Sequence, residues 1–180
     1  NWAKSLNLEV HQDEKYNLLI RKPATPGYES QKPIVIQAHI DMVCEKRPEV
    51  KHDFRKDPIK LVLEGDILST GNRTTLGADD GIGVAMAMAV LEDKTLKHPP
   101  VDVILTTAEE EDMSGALSVD KSWFNTNRLI NIDHIVDNEI IAGSCGGIGV
   151  DLKFPIEYTK KTDNYKGYKI KISGLRGGHS

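Results

Sequence analysis

Two apolar runs, "PIVIQA" at 33–38 and "VDVILTTA" at 101–108, are separated by one long helix-forming stretch, "GADDGIGVAMAMAVLED". Continuous apolar runs of this length are the mark of strands buried on both faces. A helix between two such strands is the pattern of a parallel crossover. The chain is therefore expected to form an α/β sandwich around a substantially parallel sheet. The helix begins after glycine and carries Val84, Met88 and Leu91 at a spacing that sets them on one face.

The surrounding segments fit the same plan. "NWAKSL" reads as the last turns of a helix, and "LEVHQD" and "YNLLIRKP" as two paired strands turning at Asp13-Glu14. Residues 44–60 are charged, hold two prolines and read as a long excursion of the functional kind. "KLVLEGDILST" has the form of a short hairpin around Gly65-Asp66, "SGALSVDKSWF" of a short helix, and "LINID" and "EIIAG" of further strands. After "GSCGGIG" the texture changes. "VDLKFPIEYTK" and "YKGYKIKIS" alternate without an intervening helix, as in an antiparallel sheet with one wet face. The expected division is a first domain over 1–149 and the beginning of a second domain over 150–180. Both ends read as cut: the chain opens on Asn1 and stops at "GLRGGHS", just as a Gly-rich turn begins.

Composition narrows the function classes. With 180 residues, 39% of them hydrophobic, and a net charge of −4, nothing favours nucleic acid or an anionic membrane as partner. No apolar stretch approaches the roughly 18 residues of a membrane helix, and no secretory segment opens the chain. Cys44 and Cys145 are far apart and form no CxxC, so a disulfide framework is not expected and a cytoplasmic setting is.

The chemistry lies at the strand ends, where α/β sheets collect their ligands. "PIVIQA" runs into His39 and Asp41, whose side chains share one side of the strand. Asp79-Asp80 precede the long helix, Glu109-Glu110-Glu111-Asp112 follow the second apolar strand, and Asp133-His134 follow "LINI". Each alone has a plain explanation: a solvated charge run, a helix cap at Asp79-Asp80, a surface turn at Asp133-His134. Together they form a set of carboxylates and imidazole without thiolate. Clustered carboxylates repel one another and raise each other's pKa, which a divalent cation relieves. The donor types suit zinc, manganese or cobalt. Their number exceeds the three or four ligands of a single ion and favours two ions sharing a carboxylate at about 3.5–4 Å. Adjacent Glu109 and Glu110 do not readily face one ion together, so one is expected to bind metal while the other handles a proton.

In order and spacing, "AHIDMV", "TTLGADDGIG", "TTAEEEDMSGA", "LINID" and "GLRGGHS" resemble the aminoacyl-histidine dipeptidases. These are the peptidase D or bacterial carnosinase type of di-zinc aminopeptidase-like enzymes. "RKPATPG", "HDFRKDPI" and "AGSCGGI" fit as well, so the resemblance spans nearly the whole chain. It implies a zinc-aminopeptidase-like fold, a mixed and mainly parallel sheet flanked by helices, followed by the start of an antiparallel lid and dimerisation domain. It implies His39, Asp79, Glu110 and Asp133 as metal ligands, with Asp79 bridging two ions, most simply zinc. Asp41 would support the site, Glu109 would be the general base, and His179 of the lid would hold the substrate, in relatives across a dimer interface. The implied reaction is hydrolysis of dipeptides, Xaa-His in particular, by a homodimer acting on small peptides.

The chain departs from the family pattern at His134-Ile135, at Asp112 and at Asp80, positions that bear on local geometry, metal preference and specificity. Relatives also take a last histidine ligand and most of the lid from segments not present here, so this stretch in isolation is expected to have little or no activity. Other readings are an acylase, deacetylase or tripeptidase on the same scaffold, or a non-catalytic metal-binding or interaction relative.

Overall fold

The structure is a computed structural model and describes residues 1–134, 136, 138–143, 150–160, 164 and 166–174. The chain divides into two compact units, Asn1–Glu139 and Ile140–Ser180.

The first unit is built on a five-stranded sheet. Helix α1 (Trp2–Ser5) leads into β1 (Glu9–Gln12), which turns back into β2 (Leu18–Lys22). Strand β3 (Ile34–His39) is followed by the long excursion, the hairpin β4 (Val62–Glu64) and β5 (Ile67–Ser69), and helix α2 (Ala78–Glu92). Then come β6 (Val101–Thr106), α3 (Ser114–Ser118), a short 3-10 turn at Lys121–Trp123, and β7 (Leu129–Asn131). The sheet order is β1-β2-β6-β3-β7. β6, β3 and β7 run parallel, while β2 pairs antiparallel with both β1 and β6. The sheet is thus mixed, with the parallel part formed by the strands whose ends carry the polar clusters.

Burial explains the arrangement. Every residue of β6 is buried, as its continuous apolar run requires of a strand covered on both faces. On one face α2 contributes Ala87 and Leu91 to a core with Ile20, Ala38, Val101, Val103 and Leu105. On the other, Leu19, Val35 and Ile104 pack beneath Val119, Trp123 and Phe124. Each fully buried side chain of this kind contributes about 1.5–3 kcal/mol. The buried stripe of α2 is centred on Gly83, Ala87 and Leu91, and Val84 and Met88 flank it half-buried.

The loop after β3 thus runs to the α2 face and the loop after β6 to the α3 face. Ligands of α/β sheets collect at the carboxyl ends of the strands. The register brings the strand ends level: His39 is opposite Thr106, and Gln37 opposite Asn131.

One strand expectation is corrected. "EIIAG" forms no strand, and Ile140 is almost wholly exposed. The described residues of 150–174 likewise show no strand pairing, and Leu152, Phe154, Tyr158 and Ile170 stay exposed. Alternation is a local property, but a ribbon is marginal in water without a layer to cover its apolar face, and the described residues supply none.

Candidate active site

His39, the last residue of β3, is 1% exposed. Its Nδ1 lies 3.0 Å from the backbone carbonyl oxygen of Asp41. A ring nitrogen that donates to a carbonyl leaves the other free to accept or to ligate. That other nitrogen, Nε2, meets Asp79 Oδ1 at 2.9 Å, with Asp133 Oδ2 at 3.8 Å and Glu109 Oε2 at 3.9 Å. Carboxylates from three separate segments therefore converge on one buried imidazole edge.

Among the described residues, ligand atoms fall into two groups, each within 4.8 Å: His39 with Asp79 and Asp133, and His39 with Glu109 and Glu110. The sequence places these residues at the ends of β3, β6 and β7 and at the entry to α2. The level register of the three strands turns that placement into proximity. The chain turns sharply from Thr107, with Ala108 at φ 56° and its carbonyl accepting from Met113 N at 2.7 Å, so Glu109 and Glu110 are carried back over the sheet.

Asp41 stands behind this loop. Its carboxylate accepts from the amides of Glu109, at 3.1 Å, and Glu110, at 3.0 Å. It lies 3.5 Å from His39 Nδ1, on the ring edge opposite Asp79. His179 lies outside the described residues.

Asp80 fills the helix-cap reading offered for Asp79-Asp80, and its burial against the His39 amide is the part the sequence reading missed. It is 4% exposed and accepts from His39 N and Gly83 N, both at 3.2 Å. It caps the true start of α2, since Asp79 and Asp80, joined by a cis peptide bond, have non-helical backbone angles. A Cβ on Gly83 would lie 2.3 Å from Asp80 Oδ1, so the last residue of "DGIG" has to be glycine for this packing. The pairing of an acid with glycine three positions on was the available signal.

The electrostatics follow from this crowding. Burial raises the Glu109 carboxyl above its ordinary range, and the charges of Asp133, Glu110 and Asp79 add to it against the pull of His39. Burial also raises Asp133, with Asp79 contributing, and raises Asp80. Burial opposes a charge on His39, yet the Asp79 hydrogen bond and the charges of Asp133, Asp41 and Glu109 more than offset it and raise its pKa. Carboxylates held this close are stabilised by a cation among their oxygens, and one imidazole nitrogen with several carboxylate oxygens suits a divalent ion. The residues present fit a divalent metal.

No family model matches the chain. It is 42% identical over 179 residues to the cytosol non-specific dipeptidase of Escherichia coli (strain K12), covering 99% of this chain and 37% of that protein. Its fold matches the crystal structure of aminoacylhistidine dipeptidase from Vibrio alginolyticus, with TM-score 0.68 and 43% identity over 74% of this chain and 27% of that one. A tripeptidase from Staphylococcus aureus matches at TM-score 0.61 and 22% identity, over 75% of this chain and 36% of its own, a likeness of fold alone. The resemblance read from the motifs is borne out by these matches. The chain spans little more than a third of the length of the curated relative it matches.

Proposed function

We propose that this chain supplies the catalytic centre of a metal-dependent dipeptidase that hydrolyses small peptides, Xaa-His dipeptides among them. The observation that supports this most directly is the buried His39 edge, which faces Asp79, Glu109 and Asp133 within 4 Å. His39, Asp79, Glu110 and Asp133 would hold two divalent ions, with Asp79 shared and zinc the ion that suits this donor set. Such ions, when bound, polarise the scissile carbonyl and make water a nucleophile near neutral pH.

Glu109 is the general base in this reading. It takes a proton from the attacking water and passes it to the departing amine, so the peptide gains OH at carbon and H at nitrogen. Asp41 positions the loop that carries Glu109 and Glu110. His179, in the beginning of a lid and dimerisation domain over 150–180, would donate to the substrate's oxygen, where one such donor is typically worth about 2.7–4 kcal/mol. A homodimer in the cytoplasm completes the reading.

The test is hydrolysis by the full-length protein. Loaded with zinc, it should cleave Xaa-His dipeptides, lose activity to a chelator and regain it with zinc. No cleavage of any dipeptide across a broad panel by fully metallated protein would refute the reading. A strong preference for acylated amino acids over dipeptides would redirect it to the acylases.

A further inference from the structure

On the proposed roles of Glu109 and Glu110, we infer that Asn17 is a positioning residue for the reaction, setting the loop that carries both carboxylates through the backbone of Thr107 and Gly115.

Asn17 is fully buried, a rare condition for an asparagine. It precedes β2, and because β2 runs antiparallel to β6, the start of β2 lies beside the end of β6. The side chain therefore sits where the chain leaves the sheet for Glu109. Its Oδ1 accepts from Thr107 N at 3.1 Å. Its Nδ2 donates to Gly115 O at 2.9 Å, Asp13 Oδ2 at 2.7 Å and Ser118 Oγ at 3.3 Å. One amide thus ties the first residue of the loop to the helix that closes it.

The surroundings hold that amide in one orientation. Asp13 Oδ1 accepts from the backbone amides of both Lys15 and Asn17. Thr107 Oγ1 donates to Lys15 O at 2.8 Å, adding a second tie between turn and loop. A Cβ on Gly115 would lie 1.9 Å from Thr107 O, so α3 presses directly on the loop base. Between these anchors the loop takes left-handed backbone angles at Ala108 and Met113. Non-glycine residues hold such angles only when their surroundings impose them. Asp41 secures the tip of the loop and Asn17 its base.

Deleting a group that orients ligands from behind typically costs about 10–100-fold in metal affinity or activity. The test compares Asn17→Ala with Leu91→Ala in the full-length protein. Leu91 is a core residue at the opposite end of α2 from Asp79, and its truncation destabilises without touching the loop. Zinc affinity is measured by chelator competition, kcat and KM on a dipeptide, and amide exchange across 107–113 in metal-free protein. Asn17→Ala should lose about 10–100-fold in zinc affinity or kcat, with KM little changed and exchange accelerated. Leu91→Ala should match wild type in all of these at temperatures where it is folded. If Asn17→Ala loses only stability and otherwise behaves as Leu91→Ala does, the positioning role is overturned. Should Asn17→Ala fail to fold, Asp13→Ala removes one partner of the same amide. It should shift loop exchange and zinc affinity in the same direction, and unchanged values overturn the role. A wild-type protein that neither binds zinc nor cleaves dipeptides would remove the proposed function, while the exchange measurement still decides whether Asn17 holds the loop.

Discussion

The carboxylate of Asp41 accepts from the backbone amides of Glu109 and Glu110, residues 68 and 69 positions further along the chain. The acid after the first candidate ligand thus acts on the loop opposite. Hydrogen bonds to a charged acceptor contribute about 1.5–3 kcal/mol each. Asp41→Asn keeps the shape but can face only one of the two amides with an acceptor. It should lower kcat about 10–100-fold with folding retained. Wild-type kinetics in Asp41→Asn, with the protein fully metallated, would remove this role.

Glu109 and Glu110 should separate under mutation. Glu109→Gln should keep zinc content and lose about 10²–10⁴-fold in kcat, the usual contribution of a general base. Glu110→Gln should bind less metal. Metal analysis showing the loss in Glu109→Gln instead would exchange the two roles.

Only Nε2 of His39 is placed to ligate, since Nδ1 faces the Asp41 carbonyl, so loss of His39 should remove one of the two ions. Zinc at about 100 times its dissociation constant stabilises the folded protein by about 2.7 kcal/mol. Wild type should therefore melt higher with zinc and lower with a chelator. His39→Ala should show a smaller zinc-dependent rise than wild type, and an undiminished rise would place the metal elsewhere.

Asp102 offers a pH test away from the cluster. Burial in β6 raises its carboxyl, and Arg21, with Nε at 3.7 Å, only partly counters this. A folded pKa above the unfolded one means that stability present below about pH 3.9 is lost as pH rises through the folded value. Asp102→Asn should therefore gain on wild type as pH rises out of the acid range, read from urea midpoints. A growing deficit would show that the Arg21 pair outweighs burial.

Much of this architecture was legible from local pattern. Apolar runs marked β3 and β6, helical spacing marked α2, and polar residues at strand ends pointed to His39, Asp79, Glu109, Glu110 and Asp133. These are short-range signals, because side-chain direction repeats every two residues in a strand and every 3.6 in a helix. The failure at 139–143 has the same root, since alternation describes one strand and pairing needs another.

The amino-acid order settled which side chains stand at the strand ends, because period and chain direction are written into consecutive residues. It left open what each of them touches. Asp41 reaching two amides of the loop after β6, Asp80 buried beneath His39, and Asn17 joining Thr107 to Gly115 all depend on strand register and loop path. The physical reason is that a buried polar group must find a partner wherever packing brings one. For these residues the partner lies far along the chain, where nearest-neighbour preferences carry no information.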